Sequence, residues 1–154
     1  MLYLDSSALV KQYVEETGSR AMNAKIESES AALERPFTSV LAYPEVHAAL
    51  VKKFRKNLLT AEELRHAQKQ FEPDWAFGIS EIPLDASVLA SIREAVRRFP
   101  LSGADAVHLA SALWLRDALA ARGNSAGLTF ATSDMRLAEA AQGFGLEVFN
   151  PETV

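Results

Sequence analysis

The chain reads as an α/β protein, a three-layer α/β/α sandwich built on a mostly parallel sheet of about five strands. Three observations predict this. Short apolar or β-branched runs recur at Leu2 to Leu4, Thr38 to Val40, Ile79 to Leu84, Leu128 to Thr132 and Leu146 to Phe149. Segments with helical spacing of apolar residues separate them. Strands joined through helices pair in parallel, and such a sheet needs a helical layer on each face.

Each element follows from its local chemistry. Leu2 to Leu4 is a strand ended by Asp5, after which Ser6 and Ser7 open a helix-spaced segment from Ala8 to Glu16. Gly18 and Ser19 reset the chain for a second helix to about Leu33, rich in good helix formers, and Pro36 closes that connection. After the second strand a helix runs through Glu45 to about Lys56. Pro44 fits its first turn, where a missing N–H costs little. Thr60, Glu62 and Glu63 mark a capped helix start with early acids, running to about Phe71. Pro83 marks the end of the third strand or a sheet edge. Asp85 caps a helix to about Phe99, with Val88, Leu89, Ile92 and Val96 at helical spacing. Pro100, Ser102 and Gly103 precede a long helix from near Ala104 to about Arg122, stopped by Gly123 and Asn124. The fourth strand ends in Ser133 and Asp134, an Ala-rich helix continues to about Gln142, and Gly143 and Gly145 turn the chain into the last strand.

Length and composition narrow the function classes. A chain of 154 residues is expected to form a single domain, residues 1–154, around one substantial core. With no cysteine it can form neither disulfides nor thiolate zinc sites, which fits a reducing compartment. The start, MLYLD, lacks the basic and apolar regions of a secretory signal, and no apolar run approaches the roughly 20 residues of a membrane helix. A cytoplasmic protein with no membrane association is expected. The net charge of −4 argues against bulk electrostatic coating of nucleic acid. Two basic clusters stand out locally, Lys52, Lys53, Arg55 and Lys56, and Arg93, Arg97 and Arg98. The first is read as a solvated helix face, with phosphate contact as the alternative.

The informative pattern is acidic. Asp5, Glu45, Asp105 and Asp134 each sit beside an apolar run where a strand or loop gives way to a helix. Singly, Asp5, Asp105 and Asp134 could be no more than helix-start anions, favourable by roughly 0.3 to 1 kcal/mol. Glu45 is a lone acid in the apolar stretch Val40 to Leu50, so its partial desolvation calls for a partner. Jointly, the four fall where open α/β sheets build their ligand crevice. If they converge, their repulsion must be relieved by protonation or by a cation. Oxygen donors without sulfur suit Mg²⁺ or Mn²⁺.

Four separated motifs, in order along nearly the whole chain, carry a family resemblance. Asp5-Ser6-Ser7-Ala8-Leu9-Val10-Lys11, Glu45 after Thr-Ser-Val-Leu-Ala-Tyr, Leu101-Ser102-Gly103-Ala104-Asp105-Ala106-Val107-His108-Leu109-Ala110, and Thr132-Ser133-Asp134 together resemble the PIN-domain family, in particular its VapC toxin branch. Pro44, directly before Glu45, departs from the pattern. The resemblance implies a Mg²⁺- or Mn²⁺-dependent endoribonuclease, the toxin of a type II toxin–antitoxin pair, with Asp5, Glu45, Asp105 and Asp134 catalytic. Asp5 and Asp105 would be direct metal ligands, and Asp134 and Glu45 would complete the pocket directly or through water. It further implies in-line attack by water leaving a 5′-phosphate and a 3′-hydroxyl, a homodimer, and silencing by a cognate antitoxin whose peptide fills an apolar groove. Phe71 to Ile79, with Trp75 and Phe77, could supply that groove or simply pack the core.

Remaining polar residues carry weaker expectations. Ser6, Ser7 and Ser133 are read as helix caps able to reach a carboxylate or phosphate. His108, one turn after Asp105, is read as packed or carboxylate-paired, with a part in the site as the alternative. Lys11 and Arg136 are read as surface charges, with guidance of RNA as a second possibility. Two other classes stand beside the nuclease. A PIN-like module that binds RNA or protein without cutting gains nothing from concentrated acids facing a polyanion. A phosphotransfer enzyme with an aspartyl nucleophile at Asp5 commonly needs a second acid nearby, and Ser6-Ser7 supplies none.

Overall fold

The computed structural model describes residues 1–30, 35–123 and 127–154. Its centre is a five-stranded, all-parallel sheet of β1 (Leu2–Leu4), β2 (Phe37–Ser39), β3 (Ser80–Ile82), β4 (Thr129–Ala131) and β5 (Glu147–Phe149), in the order β3-β2-β1-β4-β5. Tyr3 of β1 pairs with Phe37 on one side and Phe130 on the other. The order reverses between β1 and β4, so the crevice at the carboxyl ends of those two strands is the topological switch point.

Alternation within the strands sends side chains to two cores. Leu2, Leu4 and Ala131 face a layer of α1 (Ser6–Leu9), α2 (Ser19–Ser30), α3 (Ala42–Arg55) and α4 (Ala61–Pro73), joining Leu9, Met22, Val46, Leu50 and Phe71. Tyr3 and Phe130 face the opposite way, to α5 (Ala86–Arg98), α6 (Gly103–Ala121) and α7 (Met135–Gly143), joining Val88, Leu109, Leu113 and Leu137. The expected three-layer sandwich is therefore present. Apolar strands are what such burial on both faces demands.

Caps fix the helix starts. Thr60 and Glu63 form a capping box on α4, Ser102 and Asp105 form another on α6, and Asp85 accepts from Ser87 N and Val88 N. Pro44 lies in the first turn of α3, as its missing donor requires. The expected helix from Ala8 to Glu16 is shorter. After α1 the chain tightens into a 3₁₀ turn over Val10–Gln12, with Tyr13 N bonded to Val10 O. The Lys11 ammonium turns inward onto Thr17 O, Glu16 and Glu152, contacts that hold the residues after this turn folded back. The expected end of the second helix near Leu33 and the stop residue Asn124 lie outside the described residues.

Gly18 anchors the C-terminal segment. Its φ of +86° suits glycine, and a Cβ there would stand 2.8 Å from the carbonyl oxygen of Pro151. That close approach brings Glu152 within 2.7 Å of Lys11.

Phe130 is fully buried in the central strand pair and stacks on Tyr3 at 5.2 Å between ring centres. Phe130→Ala is expected to cost about 3 to 5 kcal/mol. Urea denaturation should show a lower midpoint at an unchanged slope.

Candidate active site

All five strands point the same way, so the residues after β1, β2 and β4 emerge at one edge of the sheet. Asp5, the α3 start carrying Glu45, and Asp134 lie there for that reason. Helix α6 precedes β4 and must return to the strand's opposite end, so its own N-terminus, with Asp105, starts at this same edge. The backbone ladder continues past the strands here, through Asp5 N to Ala131 O at 3.1 Å and Thr132 N to Phe149 O at 3.1 Å.

Asp5 is the best-held carboxylate. It is 3% exposed and caps α1 through Ala8 N at 2.8 Å. Ser7 Oγ donates to it at 2.8 Å, and Thr132 Oγ1 donates to Oδ2 at 2.6 Å. Thr132 Oγ1 in turn accepts from Asp134 N at 3.0 Å, and Ser7 Oγ accepts from Ser133 N at 2.9 Å. Two hydroxyls thus tie the ends of β1 and β4 together around one acid. Burial pushes the Asp5 pKa up from its ordinary 3.8, opposed by the nearby His108 and by the donors from Thr132, Ala8 and Ser7.

Glu45 has found the partner that its apolar surroundings demanded. His108 Nε2 meets Glu45 Oε2 at 2.7 Å, and His108 Nδ1 meets the Tyr3 hydroxyl at 3.0 Å. Desolvation holds the Tyr3 pKa well above 10, so the phenol keeps its proton and can donate it to Nδ1. Nε2 faces the Glu45 carboxylate and Nδ1 faces the phenol, so both ring nitrogens are engaged. Histidine 108 is 2% exposed and therefore paired with a carboxylate, one of the two forms expected of it. Its side chain is also close enough to Asp5 to influence its ionisation, which links the two groups.

Asp105 and Asp134 are differently occupied. Asp105 Oδ2 accepts from Ser102 N at 3.2 Å, inside its capping box. Asp134 is exposed, and its Oδ1 accepts from Arg136 N at 2.8 Å and Leu137 N at 3.0 Å. Among the described residues, no three acidic or histidine side chains stand close enough, as placed, to share a metal ion. The sheet edge brings the four acids to one side of the molecule, while the helix starts hold Asp105 and Asp134 on backbone amides.

Several expectations are corrected. Ser6 and Ser7 do not cap α1, because Asp5 does; the Ser7 hydroxyl serves the Asp5 carboxylate instead. Ser133 does not cap α7, because Asp134 does, and Ser133 Oγ is buried without a hydrogen-bond partner among the described residues. Lys11 is not a surface charge: it is 2% exposed and held by Glu16 at 3.0 Å and Glu152 at 2.7 Å. The Phe71 to Ile79 segment divides in two. Phe71 is core, Trp75 packs on Tyr43 and Phe71, and Phe77 is 74% exposed. Sequence reasoning assigns no side-chain contact to Tyr3, and it takes Thr132 only as part of the Thr132-Ser133-Asp134 motif. Thr132 was detectable as a hydroxyl at the end of a buried strand, two residues before an acid, whereas nothing local marks Tyr3.

Known proteins resemble this chain in sequence and in backbone. A family model described as the PIN domain matches residues 2–143. Ribonuclease VapC45 of Mycobacterium tuberculosis (strain CDC 1551 / Oshkosh) is 40% identical over 148 residues, spanning 96% of this chain and 94% of the relative. Ribonuclease VapC49 of strain ATCC 25618 / H37Rv matches to the same extent. In backbone, the chain is similar to a chain of VapBC2 from Rickettsia felis, crystallised with a DNA fragment from its promoter. The TM-score is 0.63 at 12% identity, over 97% of this chain and 98% of that one.

Asp5 also sets a pH dependence. Because burial raises its folded-state pKa, the cost of the buried charge is absent below about 4, the unfolded value, grows as pH rises through the folded value, and is complete above it. In EDTA, Asp5→Asn should therefore melt at a higher temperature than wild type at neutral pH, and the gap should close on acidification. A variant that melts lower at neutral pH would contradict this account.

Proposed function

The chain belongs to the PIN-domain family and is of its VapC type, and from that premise we propose that it is an endoribonuclease hydrolysing RNA phosphodiesters with the help of Mg²⁺ or Mn²⁺. We take it to be the toxin of a type II toxin–antitoxin pair acting in the cytoplasm. The observation that carries this reading is the Asp5 carboxylate, buried at the switch point with hydroxyl and amide donors but no hydrogen bond to a cationic side chain among the described residues. Such a group gains from a cation. Two relatives that are each 40% identical to it over 148 residues are named ribonucleases.

The donors fit a hard divalent ion. Asp5, Asp105 and Asp134 supply only carboxylate oxygens, and the chain has no cysteine to favour a softer metal. These three are the proposed ligands. When bound, the ion supplies charge neutralisation at the scissile phosphate and at the leaving oxygen, and acidifies water.

The chain's own residues do the rest. Ser7 and Thr132 hold Asp5 in one rotamer, so this carboxylate needs no rearrangement when a phosphate arrives. Glu45 Oε2 is engaged by His108, which fixes the side chain and leaves Oε1 to take the proton of the attacking water. Water oxygen adds to phosphorus opposite the 3′-oxygen, the P–O3′ bond breaks, and the 3′-oxygen takes a proton from solvent. The products are a 5′-phosphate and a 3′-hydroxyl. Asp134 is exposed, so its carboxylate is open to an arriving substrate.

A protein antitoxin and a second copy of the chain are the proposed partners. The cleft bordered by Val40, Tyr43, Pro44, Trp75 and Ala76, about 530 Å³ and apolar, supports an antitoxin peptide as occupant. A PIN-like module that binds without cutting is the alternative that cleavage assays exclude or uphold.

Asp5→Asn should lower RNA cleavage at least a hundredfold while far-UV circular dichroism stays native, and EDTA should abolish wild-type cleavage until Mg²⁺ or Mn²⁺ is restored. Cleavage that survives EDTA would remove the ion from the mechanism. Calorimetry gives a separate readout: the ion at a hundredfold excess over its Kd should stabilise wild type by about 2.7 kcal/mol and leave Asp5→Asn unmoved.

A further inference from the structure

Beside the acidic edge, a cleft of about 370 Å³ lies between α1 with its following turn and the C-terminal half of α3. Ser6, Ser7 and Ser133 form its end nearest Asp5, and Lys52, Lys53 and Lys56 form its wall. Its floor is electrically closed. Lys11 and Lys53 are matched there by Glu16 and Glu152: Lys11 bonds both glutamates, and Lys53 bonds the second oxygen of Glu16.

Lys52 and Lys56 are different. Both are exposed, and neither makes an ion pair among the described residues. They stand one helical turn apart, about 6 Å along the axis, which is the order of one nucleotide step in an extended strand. A helix C-terminus favours basic residues by its dipole alone. The dipole does not explain why these two project into the cleft that opens onto Asp5, while the chain as a whole carries −4. Ser133 adds an independent observation: it lines the same cleft, its backbone N–H is committed to Ser7, and its hydroxyl has no partner among the described residues. Buried hydroxyls are ordinarily satisfied, so one left open at the junction of cleft and acidic edge points to a ligand acceptor.

We propose that this cleft is the track for single-stranded RNA flanking the scissile bond, with Lys52 and Lys56 gripping successive backbone phosphates and the Ser133 hydroxyl meeting the phosphate nearest Asp5. The inference rests on the ribonuclease reading. It also answers a physical difficulty of that reading, since a polyanion approaching four carboxylates needs positive charge close by to hold it. Contacts to phosphates position a strand without reading its sequence, so the track sets register and affinity, and base choice lies elsewhere. A single strand fits because its phosphates can follow a narrow cleft with the bases turned outward.

The test combines binding and turnover. A labelled single-stranded RNA is titrated onto Asp5→Asn protein, with and without Lys52→Ala and Lys56→Ala, across a series of salt concentrations. Removing two phosphate contacts should weaken binding and make the slope of log K against log salt shallower by about 1.4. Ser133→Ala should weaken binding with no change of slope. In cleaving protein, the lysine pair should raise KM at least tenfold while kcat changes less than twofold. Unchanged slope and KM in protein that cuts RNA would overturn the track and leave the ribonuclease reading standing. Wild type that binds RNA with the expected slope yet never cuts would defeat that reading and keep the track. Lysine variants that bind RNA normally but lose a protein partner would assign the cleft to that partner and overturn the proposal.

Discussion

The hydrogen-bonded knot around the Asp5 carboxylate is the interaction on which the rest of the structure depends. One acid, at the end of β1, receives Ser7 from its own helix and Thr132 from the end of β4, more than a hundred residues along the chain. The same two hydroxyls accept from the backbone of Ser133 and Asp134. A charge with this little exposure is costly in an apolar setting, and the donors offset that cost only in part, as its raised pKa shows. The fold spends stability at the switch point to keep a negative centre fixed there.

The two cores make that arrangement rigid. Leu2 and Leu4 bury on one face of β1, Tyr3 on the other, so the strand that presents Asp5 is clamped from both sides. Tyr3 does more than fill space. Its hydroxyl fixes the His108 ring, and the ring fixes Glu45, so a chain of bonds runs from the buried sheet interior to a second, partly exposed acid. Long polar side chains at a site ordinarily wander among rotamers; here the packing that forms the core also settles their direction.

Electrostatics divides this edge of the molecule into two parts. Asp5, Glu45 and Asp134 follow the ends of β1, β2 and β4, while Lys52 and Lys56 line the adjoining cleft above a floor whose charges cancel.

Much was legible in the sequence, because strands buried on both faces must be apolar and helix starts must supply caps. Periodicity located all five strands, Pro44 had to fall in a first turn, and Thr60 and Asp85 were readable as caps without any knowledge of neighbours. The lone acid at Glu45 announced that it needed a partner. What local chemistry could not decide was which partner. His108 meeting Glu45, Thr132 meeting Asp5, and Lys11 turning inward to Glu152 are contacts across 63, 127 and 141 residues. Serines beside Asp5 and Asp134 were read as caps because a hydroxyl and a carboxylate compete for the same amides, and only the folded geometry shows the carboxylate winning. Sequence by itself determined the layers and the edge where the acids emerge; tertiary structure decided how those side chains are paired, because pairing depends on distances that exist only once the sheet has closed β1 against β4.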